Sequence, residues 1–288
     1  MIRSFLFVPA DSERKIGKAE SAGADALILD LEDSVTPEAR PTARELARKY
    51  AGAGVWVRIN PLDTEDADAD LEAVMPAGPD GIVLPKPCNA GDAIELGYRL
   101  DELEAANGLE KGSTRILPIC TERPEALFSL GGYAGATDRL YGLTWGAEDL
   151  AAAVGATGNR DESGAWLPPY ELARSLCLFA AAAAEVAAID TVYTDFRNLQ
   201  GLAKYASAAR RDGFSGMLAI HPAQVAAIND AFLPSEAEIE RAERIIELFA
   251  ANPDAGALGL DGEMIDRPHL RQAESIIALV TAIRDKRN

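Results

Sequence analysis

The chain has 288 residues, 48% of them hydrophobic and 26% charged, a balance that excludes a disordered polymer and supplies ample material for a core. Its formal net charge of −18 argues against nucleic acid as a partner, because phosphate binding needs clustered cations, yet leaves room for a small anion held by a few local Arg or Lys. The length suits one α/β barrel of roughly 250 residues plus an appendage as well as it suits two domains.

In chain order, Arg3–Val8 reads as a strand and Asp11–Ala22 as a helix opened by Asp and Ser. Ala26–Leu31 is a second strand; Thr36, Pro37 and Glu38 then supply an N-cap, a first-turn proline and a first-turn acid. Val55–Ile59 and Gly81–Leu84 are strands three and four, separated by an acidic run, Asp63–Glu72, that reads as a solvated loop and helix face. A helix over Ala90–Ala106 precedes a fifth strand, Arg115–Cys120, and Leu140–Leu143 is the sixth. A long helix from Pro169 to Ala187, with the Ala-rich run Phe179–Ala188 reading as packed helix, leads to Ile189–Tyr193 as the seventh strand. Gln200–Arg211 is helical and Met217–Ile220 is the eighth strand, followed by helices at Pro222–Ala231, Ser235–Ala251 and Pro268–Asp285.

Short apolar strands alternating with helices predict a parallel sheet. A doubly wound open sheet would announce itself with a Gly-rich phosphate loop after its first strand, and here that strand ends in Val-Pro-Ala-Asp. The expected fold is therefore a (β/α)8 TIM barrel over residues 1–232, with a C-terminal helical extension over 233–288. Three cysteines, Cys88, Cys120 and Cys177, show no CxxC pairing and read as free thiols in a reducing compartment. The first apolar run is too short for a signal peptide or a membrane span, so a soluble, cytoplasmic protein is expected.

Barrel chemistry sits at the carboxyl ends of the strands. Those ends carry Asp30, Glu32 and Asp33; Arg58; Lys86; Glu122 and Arg123; and Glu148 and Asp149. Several carboxylates without clustered His or Cys suit a hard cation such as Mg²⁺. Zinc is disfavoured because His221 and His269 are isolated, and His221 reads as a structural residue ahead of Pro222. A Schiff-base role for Lys86 has no apolar pocket in the sequence to support it. Trp145 and Trp166 read as packing, with Trp166 an option for the site mouth.

The stretches RSFLFVPA (3–10), LDLEDSV (29–35), VRIN (57–60), VLPK (83–86), TERPEAL (121–127), GLTWGAEDLAAAVGA (142–156), AIHPAQV (219–225) and DGEMIDRPH (261–269) span nearly the whole chain. In them it resembles the citrate lyase β-subunit-like branch of the HpcH/HpaI aldolase family, which includes malyl-CoA and citramalyl-CoA lyases. The resemblance implies a TIM barrel, Mg²⁺ as cofactor, and Claisen-type cleavage or condensation of a 3-hydroxyacyl-CoA into a 2-oxo acid and an acyl-CoA. It places the metal on Glu122 and Asp149, and the oxo-acid carboxylate on Arg58, which also faces the reacting carbonyl. Glu32 and Asp33 match an acidic pair that supports the metal site. Lys86, Gly146 and Ala147 are the remaining candidate substrate contacts. Asp266 matches a lid segment that serves a neighbouring subunit, which makes it the candidate acid–base group and makes a homotrimer or hexamer the expected assembly. Where this chain has Thr-Glu-Arg-Pro, many members have Ile-Glu-Thr-Ala, so Arg123 bears on substrate identity. A thioesterase acting at the same site, a partner-dependent citrate lyase β-type subunit and an aldolase for free 2-oxo acids remain the alternative readings.

Overall fold

A computed structural model describes residues 1–287, with side chains described through residue 281. The contacts divide the chain into two units, Ile2–Asn229 and Asp230 onward together with Met1.

The larger unit alternates strand and helix. It runs β1 (Ser4–Pro9), α1 (Glu13–Glu20), β2 (Ala26–Asp30), α2 (Arg40–Tyr50), β3 (Val55–Arg58), α3 (Asp66–Val74), β4 (Gly81–Leu84), α4 (Ala90–Asn107), β5 (Arg115–Pro118), β6 (Gly142–Thr144), α5 (Ala147–Ala153), α6 (Pro168–Ala183), β7 (Ala187–Asp190), α7 (Leu199–Asp212), β8 (Gly216–Ala219) and α8 (Val225–Ala231). All neighbouring strands pair in parallel, in the order β5-β4-β3-β2-β1-β8-β7-β6. The two end strands meet as well, through parallel bridges Ile116–Leu140 and Ile119–Thr144 and a 2.8 Å bond from Cys120 N to Thr144 O. The sheet is thus drawn into a (β/α)8 barrel, as the strand count and the missing phosphate loop predicted.

Strands buried on both faces read as unbroken apolar runs, and Ala-Leu-Ile-Leu-Asp of β2 is buried at every position. Phe5, Ile28, Trp56, Val83, Leu117, Ile189 and Leu218 fill one barrel core. Trp56 needs Gly81 beside it, since a Cβ there would lie 2.3 Å from the indole. Helix ends follow local chemistry: Asn89 and Asn198 accept backbone N–H bonds at the starts of α4 and α7, and Gly108 closes α4 in the left-handed region.

Three local expectations are corrected. The run Phe179–Ala188 is not one helix: α6 ends at Ala183, Glu185 turns the chain at φ +56°, and Ala187 already belongs to β7. The seventh strand consequently ends at Asp190 rather than Tyr193. The acidic run is not uniformly solvated, because Asp70 on α3 is fully buried and takes bonds from Asn60 N, Asn60 Nδ2 and Arg44 Nε at 2.7–2.8 Å. The β5–β6 connection holds only short 3₁₀ turns at Pro124–Phe128 and Leu130–Tyr133.

The second unit packs α9 (Glu236–Ala251), a hairpin of β9 (Ala257–Leu260) and β10 (Glu263–Asp266), and α10 (Arg267–Arg287) around Ile245, Phe249 and Ile265. The antiparallel hairpin, whose second strand lies in DGEMID, is an element that the sequence reading left out. Among the described residues no helix is long and apolar enough to cross a membrane.

Candidate active site

At the carboxyl ends of the barrel strands lies a cavity of about 430 Å³. Its walls include Asp33, Arg58, Glu122, Trp145, Gly146 and Asp149. They come from the ends of four strands, β2, β3, β5 and β6, and from the segments that follow them, which is how a parallel barrel gathers residues distant in sequence.

Arg58 closes β3 and faces Asp30, which closes β2 in register with it. The two form a fork, Nε–Oδ1 and Nη2–Oδ2 both at 2.7 Å. Burial alone would raise the Asp30 carboxyl, but the Arg58 fork, helped by Ser34 and the Glu32 N–H, holds it below the ordinary range. The fork also occupies one bidentate edge of the guanidinium. Of the other donors, Nη1 lies 2.9 Å from Glu32 Oε2 and 3.6 Å from Asp33 Oδ2. Arg58 stacks over the Phe7 ring at 4.9 Å.

Glu32 is 4% exposed, and burial pushes its carboxyl up to about 7 against the pull of Arg58 and Lys86. Lys86 Nζ reaches Glu32 Oε1 at 2.5 Å, Asp33 Oδ1 at 3.0 Å and Asp149 Oδ1 at 3.3 Å. Desolvation would lower that ammonium, but the three carboxylates outweigh it and hold its pKa above the usual lysine range. An amine so held is a poor Schiff-base nucleophile, in line with the sequence. Lys86 also occupies the left-handed region at φ +48°, a conformation that aims its backbone N–H at Glu122 Oε2, 2.6 Å away.

That N–H is the only hydrogen-bond donor to Glu122 among the described residues. Burial, then Asp149 and Glu32 nearby, push the Glu122 carboxyl well above its ordinary range. Asp149 stands in the first turn of α5, whose N-terminus follows Gly146. A Cβ on Gly146 would fall 2.7 Å from Glu122 Cγ, so glycine lets the β6–α5 junction close onto that carboxylate. Gly146 N donates to Thr121 Oγ1 at 3.1 Å.

Two neighbouring carboxylates, one of them buried with a single donor, form a donor set that a hard cation satisfies. No group of three or more His, Cys, Asp or Glu among the described residues could hold a metal. The Glu122 and Asp149 pair suits an ion such as Mg²⁺, which takes one or two protein carboxylates and fills its shell with water and substrate oxygens.

The expected residues divide as follows. Arg58, Asp33, Glu122, Gly146, Ala147 and Asp149 line the main cavity. Glu32 buttresses it from behind through Arg58 and Lys86. Lys86 and Arg123 line a separate smaller cavity, where Arg123 bridges Asp63 Oδ2 at 2.6 Å and Cys88 Sγ at 3.1 Å. Asp266 belongs to the second unit, where its carboxylate meets His269 Nδ1 at 2.6 Å. His221 is structural as expected, its Nδ1 accepting from Ala223 N, and Trp166 packs edge-on against Trp145. The sequence reading missed Trp145 and Thr191 as cavity walls and missed the buried Asp190 behind them.

Comparison with known proteins gives the family. The family model described as HpcH/HpaI aldolase/citrate lyase matches residues 3–222. Citrate lyase subunit beta of Haemophilus influenzae is 34% identical over 283 residues, covering 96% of this chain and 95% of that protein. A (3S)-malyl-CoA thioesterase of Cereibacter sphaeroides is 34% identical over 289 residues, covering 98% and 95% respectively. The crystal structure of CitE from Mycobacterium tuberculosis, in complex with magnesium, acetoacetate and coenzyme A, matches with a TM-score of 0.79 and 33% identity over 96% of this chain and 97% of that one.

Proposed function

Because the chain belongs to the HpcH/HpaI aldolase/citrate lyase family and is a lyase by that membership, we propose that it is a Mg²⁺-dependent carbon–carbon lyase cleaving a 3-hydroxyacyl-CoA of the malyl-CoA or citramalyl-CoA type into a 2-oxo acid and an acyl-CoA. The observation that carries this reading is the meeting of Glu122, Asp149 and Arg58 on one cavity. Two of the three are carboxylates that suit a hard cation, and the third is a guanidinium suited to the substrate's own carboxylate.

Glu122 and Asp149 would hold the metal. Bound Mg²⁺ supplies Lewis-acid stabilisation of the charge that develops on the substrate oxygen as it becomes a carbonyl. Arg58, anchored by Asp30, would turn its remaining N–H donors to the substrate carboxylate and to that same oxygen. Glu32 and Asp33 would orient Arg58 and Lys86. In the cleavage the 3-hydroxyl would pass its proton to the Asp266 carboxylate, the C2–C3 bond breaks, and its electron pair stays on C2 as a thioester enolate. The enolate carbon then takes one proton. Asp266 is the proposed donor, brought by the C-terminal segment acting as a water-excluding lid on a neighbouring subunit of a homotrimer or hexamer. The Cys120 and Cys177 thiols, hydrogen-bonded at 3.7 Å and not joined as a disulfide, suit a reducing cytoplasm.

The test is to incubate the purified chain with Mg²⁺ and a panel of 3-hydroxyacyl-CoA thioesters, following products by mass spectrometry. An oxo acid and a shortened acyl-CoA are expected, at least a hundredfold reduced in Glu122→Gln and Asp149→Asn. Hydrolysis is the second reading, favoured by the likeness to a malyl-CoA thioesterase. Free CoA and a hydroxy acid without any oxo acid would establish it instead. A wild-type chain inert on every thioester would favour dependence on partner subunits, as the name of the citrate lyase relative suggests.

A further inference from the structure

Behind the cavity wall lies a buried acid that the proposed chemistry does not use. Asp190 ends β7 and is fully buried, and its carboxylate collects five donors. Oδ1 accepts from Trp145 Nε1 at 2.7 Å, from Thr191 N at 2.9 Å and from Tyr205 OH at 3.1 Å. Oδ2 accepts from Arg174 Nε at 3.0 Å and Nη2 at 2.8 Å. The Arg174 pair neutralises the carboxylate, so its charge needs no further partner. The bond to Trp145 is different in kind, because it reaches across from β7 to the residue that leads into the site. Trp145 lines the cavity and directly precedes Gly146, which leaves no room for a Cβ beside Glu122 and opens the helix bearing Asp149. The junction is therefore held from two sides, by the Trp145 indole on Asp190 and by Gly146 N on Thr121. Trp166 closes over the indole edge-on at 4.9 Å and donates its own N–H to Tyr205.

We propose that Asp190 is a positioning residue: through the Trp145 indole it sets the β6–α5 junction and so the separation of Glu122 from Asp149. This rests on the reading of those two carboxylates as the Mg²⁺ site. Because Gly146 passes so near Glu122 that a Cβ would not fit, and the helix bearing Asp149 starts from it, a displacement of the junction alters the surroundings of both ligands together. Groups that orient metal ligands from outside typically change affinity by 10–100-fold.

The decisive variant is Trp145→Phe, which keeps an aromatic ring and removes the N–H. Tyr205→Phe is the control: it removes a different donor from the same oxygen, and the acceptor of the Trp166 N–H with it, but leaves both direct anchors of the junction, Trp145 on Asp190 and Gly146 on Thr121, in place. Mg²⁺ binding to the metal-free chain would be measured by titration calorimetry, and hydrogen exchange would be followed over residues 145–151. The expected result is Mg²⁺ affinity down about tenfold or more in Trp145→Phe, with faster exchange confined to the junction. Tyr205→Phe should lose thermal stability with Mg²⁺ affinity held within about twofold, a split that a merely structural network would not produce. Equal Mg²⁺ affinity in wild type and Trp145→Phe, or equal losses in both variants, overturns the inference. A wild type that takes up no Mg²⁺ sinks the metal reading itself and the ligand-setting role with it. The exchange data would then show separately whether Asp190 holds the junction.

Discussion

Glu32 sets burial against charge more directly than any other residue of the site. Its folded carboxyl titrates near 7 rather than the ordinary 4.5, so the fold favours the protonated form. The stability this contributes is fully present below about pH 4.5 and lost as pH rises through about 7, on the order of 3 kcal/mol in the metal-free chain. Urea midpoints should fall across that range in the wild type and fall less steeply in Glu32→Gln, where the raised Glu122 carboxyl still contributes; parallel profiles would sink the assignment. Gly146 makes a second case. Its backbone needs no special conformation, only the absence of a Cβ against Glu122. Gly146→Ala should fold with near-normal circular dichroism yet bind Mg²⁺ at least tenfold more weakly, and unchanged binding would show that the contact yields. At this scale the sequence was most legible where a polar residue stands just past an apolar run, as at Glu122 and Asp149. Asp190 escaped because Thr191, Val192 and Tyr193 prolong its strand in appearance, so it read as strand interior.

Among the elements, α3 shows how a charge pattern misleads. Asp66, Asp68 and Asp70 alternate along a run that reads as solvated, yet they meet three different environments. Asp68 pairs with Arg99 while largely exposed, Asp66 pairs with Arg40 and Arg44, and Asp70 is enclosed with Arg44 and Asn60. Asp70 thereby pins Asn60, two residues beyond Arg58, and supports the end of β3. Asp70→Ala should lower stability by about 3–5 kcal/mol in urea titrations, because Arg44 and the Asn60 N–H groups lose a buried partner. A loss within 1 kcal/mol would mean that water replaces the carboxylate. The Ala-rich run erred in the opposite direction. Alanine favours helix but also fits a strand start, and the chain turns at Glu185, in the left-handed region at φ +56°.

For the whole molecule, closure is decided by β5 and β6, which meet through two bridges and a few backbone bonds. Closure brings the ends of β2, β3, β5 and β6 around one cavity. The C-terminal unit raises the question of assembly. If its Asp266 serves a neighbouring subunit, mixing Glu122→Gln chains with Asp266→Asn chains should restore activity that neither has alone. No recovery, after mixed oligomers have been demonstrated by native mass spectrometry, would place the lid on its own barrel.

What the sequence by itself determined is what local chemistry and spacing encode. Apolar runs of strand length, alternating helices, rim carboxylates and eight family stretches were enough for a barrel, a family and a hard-cation site. Only the tertiary structure decided which acid neutralises which base. It paired Arg58 with Asp30, set Lys86 among three carboxylates, gave Glu122 a single donor and placed Asp190 behind Trp145. The reason is physical: a carboxylate's role depends on its burial and on partners brought from other strands, and neither is a property of its place along the chain.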